Sequence, residues 1–171
     1  MLVMVEIVSP QLERLLKDWE SWRHGRKFPS RADFDPLDLK YILGNLSLID
    51  VAYDPLRFTY RLYASLLVQR NNKEMTGKNV DDLPDEKGGK RVKSHFTEVI
   101  ESRAPTVFAG FHHFQDSDMP SDCEALMLPL SSNGSAIDML MSAVVWGVKW
   151  PKKYLSDDHV PTRVIILRDS A

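Results

Sequence analysis

The sequence predicts an α+β fold, a five-stranded antiparallel sheet with helices on one face plus an N-terminal amphipathic helix. Three observations carry that expectation. A helical apolar stripe, Leu12, Leu15, Leu16, Trp19 and Trp22, opens the chain at spacings of three and four residues. Two strand-like runs, Leu46 to Tyr53 and Phe58 to Ala64, follow at hairpin distance. A single long helical pattern, Asp85 to Ser102, then separates this hairpin from three further strand-like runs.

The first helix is expected from Ser9 to His24. Ser9 and Pro10 make a good N-cap and N1 pair, and Gly25 stands where a helix stops. A basic hinge, with Arg23, Arg26, Lys27 and Arg31, runs into the acidic Asp33-Phe-Asp35, which should neutralise it. Asp35 and Pro36 open a short helix that Gly44 closes, with Leu37, Tyr41 and Ile42 turned inward. In the second strand-like run Phe58, Tyr60, Leu62 and Ala64 share one face, and Thr59, Arg61 and Tyr63 the other. That alternation fits a sheet with one face toward the core.

Residues 65 to 83 are mixed and polar, which predicts short helical turns. In the long helix Val92, Phe96, Val99 and Ile100 form the apolar face, with His95 on the same side. Gly88 and Gly89 weaken its first turn, so its well-formed part should start near Lys90. The closing strands are Thr106 to Phe114, Cys123 to Leu130 and Asp138 to Trp146. Pro129 marks an edge or bulge, and Asn133-Gly134 is the strongest hairpin signal in the chain. Val164 to Leu167 would add one extra strand. Residues 1–44 thus hold the first helix, hinge and short helix, residues 45–147 the core, and residues 148–171 the tail.

Composition excludes several function classes. With 171 residues, 43% of them hydrophobic, the chain can build its own core. A net charge of −2 lacks the basic excess that phosphate neutralisation needs, so no nucleic-acid partner is expected. No apolar run reaches membrane-spanning length, so no membrane partner is expected either. The lone Cys123 makes no internal disulfide, and the start of the chain lacks a basic n-region; both readings favour a cytoplasmic protein. No nucleophile elbow, Gly-rich phosphate loop or His-Glu-x-x-His appears.

An ordered series of residues resembles a PAS domain, and more narrowly a family of stand-alone, single-domain bacterial PAS-like proteins. The series begins with Trp19 and Trp22, Pro29-x-Arg31-x-Asp33-Phe34-Asp35-Pro36 and Ile49-Asp50-Val51. Tyr60-Arg61-Leu62 and Thr76-Gly77 follow. It closes with Leu128-Pro129-Leu130-Ser131, Asn133-Gly134 and Ile137-Asp138-Met139-Leu140. The resemblance implies a PAS-like sheet and a sensory or regulatory role in bacterial signalling, not catalysis. One departure stands out, because Ala64-Ser65 replaces the family's Gly-Thr, and a glycine there would permit a φ that other residues dislike.

A sheet clasped by helices leaves a space that, if unfilled, becomes an apolar cavity. Its candidate lining is Tyr60, Leu62, His95, Phe96, Phe111, Met127, Met139 and Met141. The expected occupant is a small apolar ligand or none. Haem is not expected, since His95 has no second haem feature beside it and reads as a core histidine. Flavin is not expected either, because the light-sensing relatives carry their cysteine in a Gly-x-Asn-Cys-Arg-Phe helix, whereas Cys123 starts a late strand. No metal site is expected. His112 and His113 are adjacent in a strand and point to opposite faces, and the acidic residues 116 to 124 read as a solvated loop.

Output should pass through an unidentified signalling protein or a homodimer, with Leu12, Leu15, Trp19 and Trp22 as the interface. Two alternatives stand beside this reading. One is a cone-shaped α+β isomerase or dehydratase using Asp50 and His95 as an acid/base pair. The other is a ligand-free adaptor with a filled core.

Overall fold

The computed structural model describes residues 7–83, 88–111, 122–151 and 163–166. Helix α1 spans Pro10–Trp22, and the Ser9 hydroxyl accepts the Leu12 N–H at 3.4 Å to cap it. The helix ends two residues before His24 because His24 and Gly25 both turn to positive φ. Three 3-10 turns, Arg31–Asp33, Pro36–Leu39 and Leu43–Asn45, lead to strands β1 (Leu46–Ala52) and β2 (Arg57–Leu62). Helix α2 (Ser65–Asn71), a 3-10 turn at Val80–Asp82 and helix α3 (Gly89–Ser102) follow. Strands β3 (Thr106–Phe111), β4 (Asp122–Leu130), β5 (Met139–Trp146) and β6 (Arg163–Ile166) complete the order.

Every strand pairing is antiparallel, in the order β2-β1-β5-β4-β3-β6. The five expected strands form the sheet, and the tail run adds a sixth along β3. Pro129 falls where its missing N–H costs no ladder bond to β3, because the β3–β4 register stops at Thr106↔Met127. No helix of the described residues is long and apolar enough to cross a membrane.

The sheet is covered on both faces. Along β4, Cys123, Ala125 and Met127 face a cavity beneath α2 and α3, while the alternate Glu124, Leu126 and Leu128 face the other way. Helix α1 packs on β4 from that second face. Its Trp19 indole donates to the Pro129 carbonyl at 3.0 Å in the buried interior. Leu12, Leu15 and Trp19 are 0%, 0% and 1% exposed, so each contributes about 2–3 kcal/mol of apolar burial inside the protomer.

Two expectations are corrected here. Leu12, Leu15 and Trp19 do not present a homodimer surface, because the chain's own sheet consumes that stripe; Trp22 is half-buried and stacks on Phe34 at 4.6 Å. Leu37 does not turn inward but is 66% exposed, and Leu39 and Ile42 take the inward positions. The short helix is also tighter than expected, a 3-10 turn capped by the Asp35 carboxylate, which accepts the Leu37 N–H at 2.9 Å. In the basic hinge Arg26 bonds the expected Asp33 at 2.6 Å, whereas Arg23 bonds Glu20 of α1 at 2.9 Å.

Candidate functional site

Between the sheet and the two helices α2 and α3 lies a cavity of about 110 Å³. It is somewhat smaller than the roughly 150 Å³ void that admits benzene in an engineered core. The sheet supplies Ser47 from β1, Tyr60 from β2, Phe108, Ala109 and Gly110 from β3, Cys123, Ala125 and Met127 from β4, and Ser142, Val144 and Trp146 from β5. Helix α2 adds Leu67 and Asn71, and α3 adds Arg91, Val92, His95 and Phe96. Aromatic rings form much of the wall. Tyr60 meets Tyr63 at 4.8 Å and Phe96 at 6.2 Å, both edge-on, and His95 stacks on Phe108 at 3.9 Å.

The polar groups around the cavity are few and mostly tied down. Ser47 Oγ accepts the Ala64 N–H at 2.9 Å, and Asn71 Nδ2 donates to the Tyr63 hydroxyl at 2.7 Å. Two buried atoms of the described wall residues have no hydrogen-bond partner, the Asn71 Oδ1 acceptor and the Trp146 Nε1 donor. The Arg70 guanidinium lies over the Trp146 ring at 4.2 Å. Burial, reinforced by Arg91, depresses the His95 pKa to about 4, so the imidazole is neutral at neutral pH. Burial pushes the Cys123 thiol up to about 11, far from a reactive thiolate, and holds the Tyr60 phenol protonated.

Of the residues that the sequence nominates, Tyr60, His95, Phe96 and Met127 line the cavity. Leu62 does not. The β1–β2 register jumps from Leu48↔Leu62 to Ile49↔Tyr60, which leaves Arg61 as an extra residue on β2. A bulge of that kind inverts the alternation beyond it. Leu62 is therefore 40% exposed, and Tyr63 turns inward to take its place. Met139 and Met141 are also displaced from the expected lining. Met127 pairs with Ser142 and Leu128 with Met141, so the two methionines of β5 are buried on the α1 face. The Phe111 side chain, along with His112 and His113, lies outside the described residues.

The expected difficulty at Ala64-Ser65 does not arise. Ala64 has φ −57° and caps the start of α2, a conformation open to any residue, and its N–H is satisfied by Ser47. The acid/base pair of the enzymatic alternative is not assembled either. Asp50 bonds to Arg61 at 2.9 Å on an exposed part of the sheet and is absent from the cavity wall, which holds no carboxylate among its described residues. Among the described residues no cluster of three His, Cys, Asp or Glu could hold a metal ion.

Sequence reasoning missed Trp146, Asn71, Ser47 and Ser142. Trp146 alone left a signal, as an aromatic at the end of a strand whose parity matches Ser142 and Val144 once the β4–β5 register is known. A family model described as a PAS domain matches residues 7–144 of the chain. No curated protein and no solved structure matches it.

Proposed function

The chain belongs to the PAS domain family, and on that premise we propose that it is a sensory or regulatory module for a small, mainly apolar molecule. The observation that carries this reading is the cavity between the sheet and α3, walled by aromatic and aliphatic side chains. Its volume suits a single small ring and is below what a haem or a flavin fills. A ligand moves a conformational equilibrium only through different affinity for two states. The element positioned to differ is α3, whose Val92, His95 and Phe96 share the wall with five strands.

Output through a protein contact, with a second copy of this chain or a separate signalling protein, accompanies the proposal. The apolar side chains left exposed, Leu37, Leu43, Tyr53 and Leu62, support such a contact better than the α1 stripe does. A catalytic role has less support, since the described cavity wall offers no carboxylate and its histidine is neutral.

Thermal unfolding of the intact protein against a panel of small apolar compounds tests the reading. A compound at a hundred times its Kd stabilises by about 2.7 kcal/mol. For a chain of this size that raises Tm by roughly 5–10 °C. Filling the cavity by Ala125→Leu or Ala109→Leu should remove the response. A protein that no compound stabilises is instead a ligand-free adaptor.

A further inference from the structure

We propose that the cavity takes a small neutral ketone, held by its carbonyl oxygen against the hydroxyls of Ser47 and Ser142. The inference rests on the reading of the cavity as a ligand site and names the chemical class that the site selects.

Size sets the first limit. A void of roughly 150 Å³ admits benzene, so about 110 Å³ is filled with the same ease by a molecule somewhat smaller than that ring.

The polar contact points set the second. Asn71 Oδ1 and Trp146 Nε1 are unpaired but enclosed by the protein, with no surface left for a ligand to touch. The two serines differ. Ser47 on β1 and Ser142 on β5 lie directly opposite each other in the antiparallel register, and both line the cavity. Side chains paired in this way have Cβ atoms about 4.5–5.5 Å apart on one face of the sheet. Ser142 is 5% exposed in the middle of its strand, and its hydroxyl has no hydrogen-bond partner among the described residues. Ser47 is 1% exposed, and its Oγ accepts the Ala64 N–H at 2.9 Å, which leaves its own hydrogen to donate.

Two O–H donors side by side on a floor that also holds Ala125, Met127 and Val144 suit a single acceptor oxygen on an apolar body. A carbonyl has two lone pairs and no hydrogen, so it accepts from both serines and leaves nothing unpaired. An alcohol brings an O–H of its own that needs a further acceptor, and a buried donor without one is costly. A carboxylate loses more hydration than two neutral hydroxyls restore. A hydrocarbon leaves both hydroxyls as they are.

Methyl NMR titrations of the intact protein with butanone, 2-butanol and 2-methylbut-1-ene test the proposal. All three are smaller than benzene, and the alkene keeps the shape of the ketone without its oxygen. Butanone should bind at least about threefold tighter than 2-butanol. Ser142→Ala should weaken butanone about fivefold, the usual effect of one neutral hydrogen bond, and leave the alkene unchanged or tighter. Alkene binding also shows that the variant is folded. In the wild type the carbonyl carbon of bound ¹³C-labelled butanone should resonate near its position in an alcohol, not in an alkane. Butanone binding that is insensitive to Ser142→Ala, a carbonyl resonance at its alkane position, or 2-butanol binding as tightly as butanone overturns the proposal and leaves the apolar-ligand reading standing. Binding of the alkene alone does the same. Binding of none of the three probes overturns both.

Discussion

Glu124 accepts the backbone N–H of Ser9 through Oε1 at 2.8 Å, across 115 residues of sequence. Its other oxygen accepts the Val8 N–H at 3.0 Å. One buried carboxylate on the central strand β4 thus fixes the two residues that lead into α1, where a helix N-terminus favours negative charge. Glu124 is 1% exposed, and burial raises its pKa despite the two backbone donors that lower it.

Replacing that carboxylate exposes its pH dependence. Glu124→Gln puts an NH₂ group against a backbone N–H and should cost about 1–3 kcal/mol at pH 7. A carboxyl whose folded pKa lies above its unfolded value binds more protons when folded, so stability rises as pH falls through that window. The wild type should therefore gain on Glu124→Gln between pH 7 and pH 5, read as urea midpoints. A gap that narrows on acidification would contradict the assignment.

The bulge in β2 makes adjacent residues unequal. Leu62→Lys should change stability by no more than about 0.5 kcal/mol, as for other exposed sites. Tyr63→Ala removes a buried ring and the partner of Asn71 Nδ2, and should cost about 3 kcal/mol or more. Reversed costs would mean that the alternation runs uninterrupted from Phe58 to Ala64.

How much of this was legible in the sequence follows from the range of the signals. Local capping and long-helix patterns match the structure, whereas the short-helix pattern that turned Leu37 inward does not. Ser9-Pro10 starts α1, Asn133-Gly134 turns between β4 and β5 with Asn133 Oδ1 accepting two backbone N–H groups, and Phe96 and Val99 face the core. Features set by pairing between distant strands were not legible. Whether Met139 or Ser142 faces the cavity depends on the β4–β5 register, and the face of Leu62 depends on one extra residue opposite β1. The α1 stripe announced burial without saying against what. Its partner is the sheet, held by a Trp19 hydrogen bond and a Glu124 carboxylate that no spacing rule connects to it.

His95 gives the opposite pH sign to Glu124. Its folded pKa of about 4 lies below the value near 6.5 of an unfolded histidine, so the unfolded chain takes up the proton first. The stability that the neutral ring contributes is complete above pH 6.5 and is lost as pH falls from there toward 4. Against His95→Gln, the wild type should lose on the order of 2 kcal/mol between pH 7 and pH 4.5. An imidazole resonance of His95 that titrates near pH 6.5 in the folded protein would refute this.

The account turns on a cavity that opens toward α3 and not toward α1, and methyl NMR during a benzene titration measures that directly. Saturable shifts at Met127, Val92 and Val144, with Met139 and Met141 unmoved, are the predicted result. Shifts centred on Met139 and Met141, or none at any of the five at saturating benzene, would contradict it.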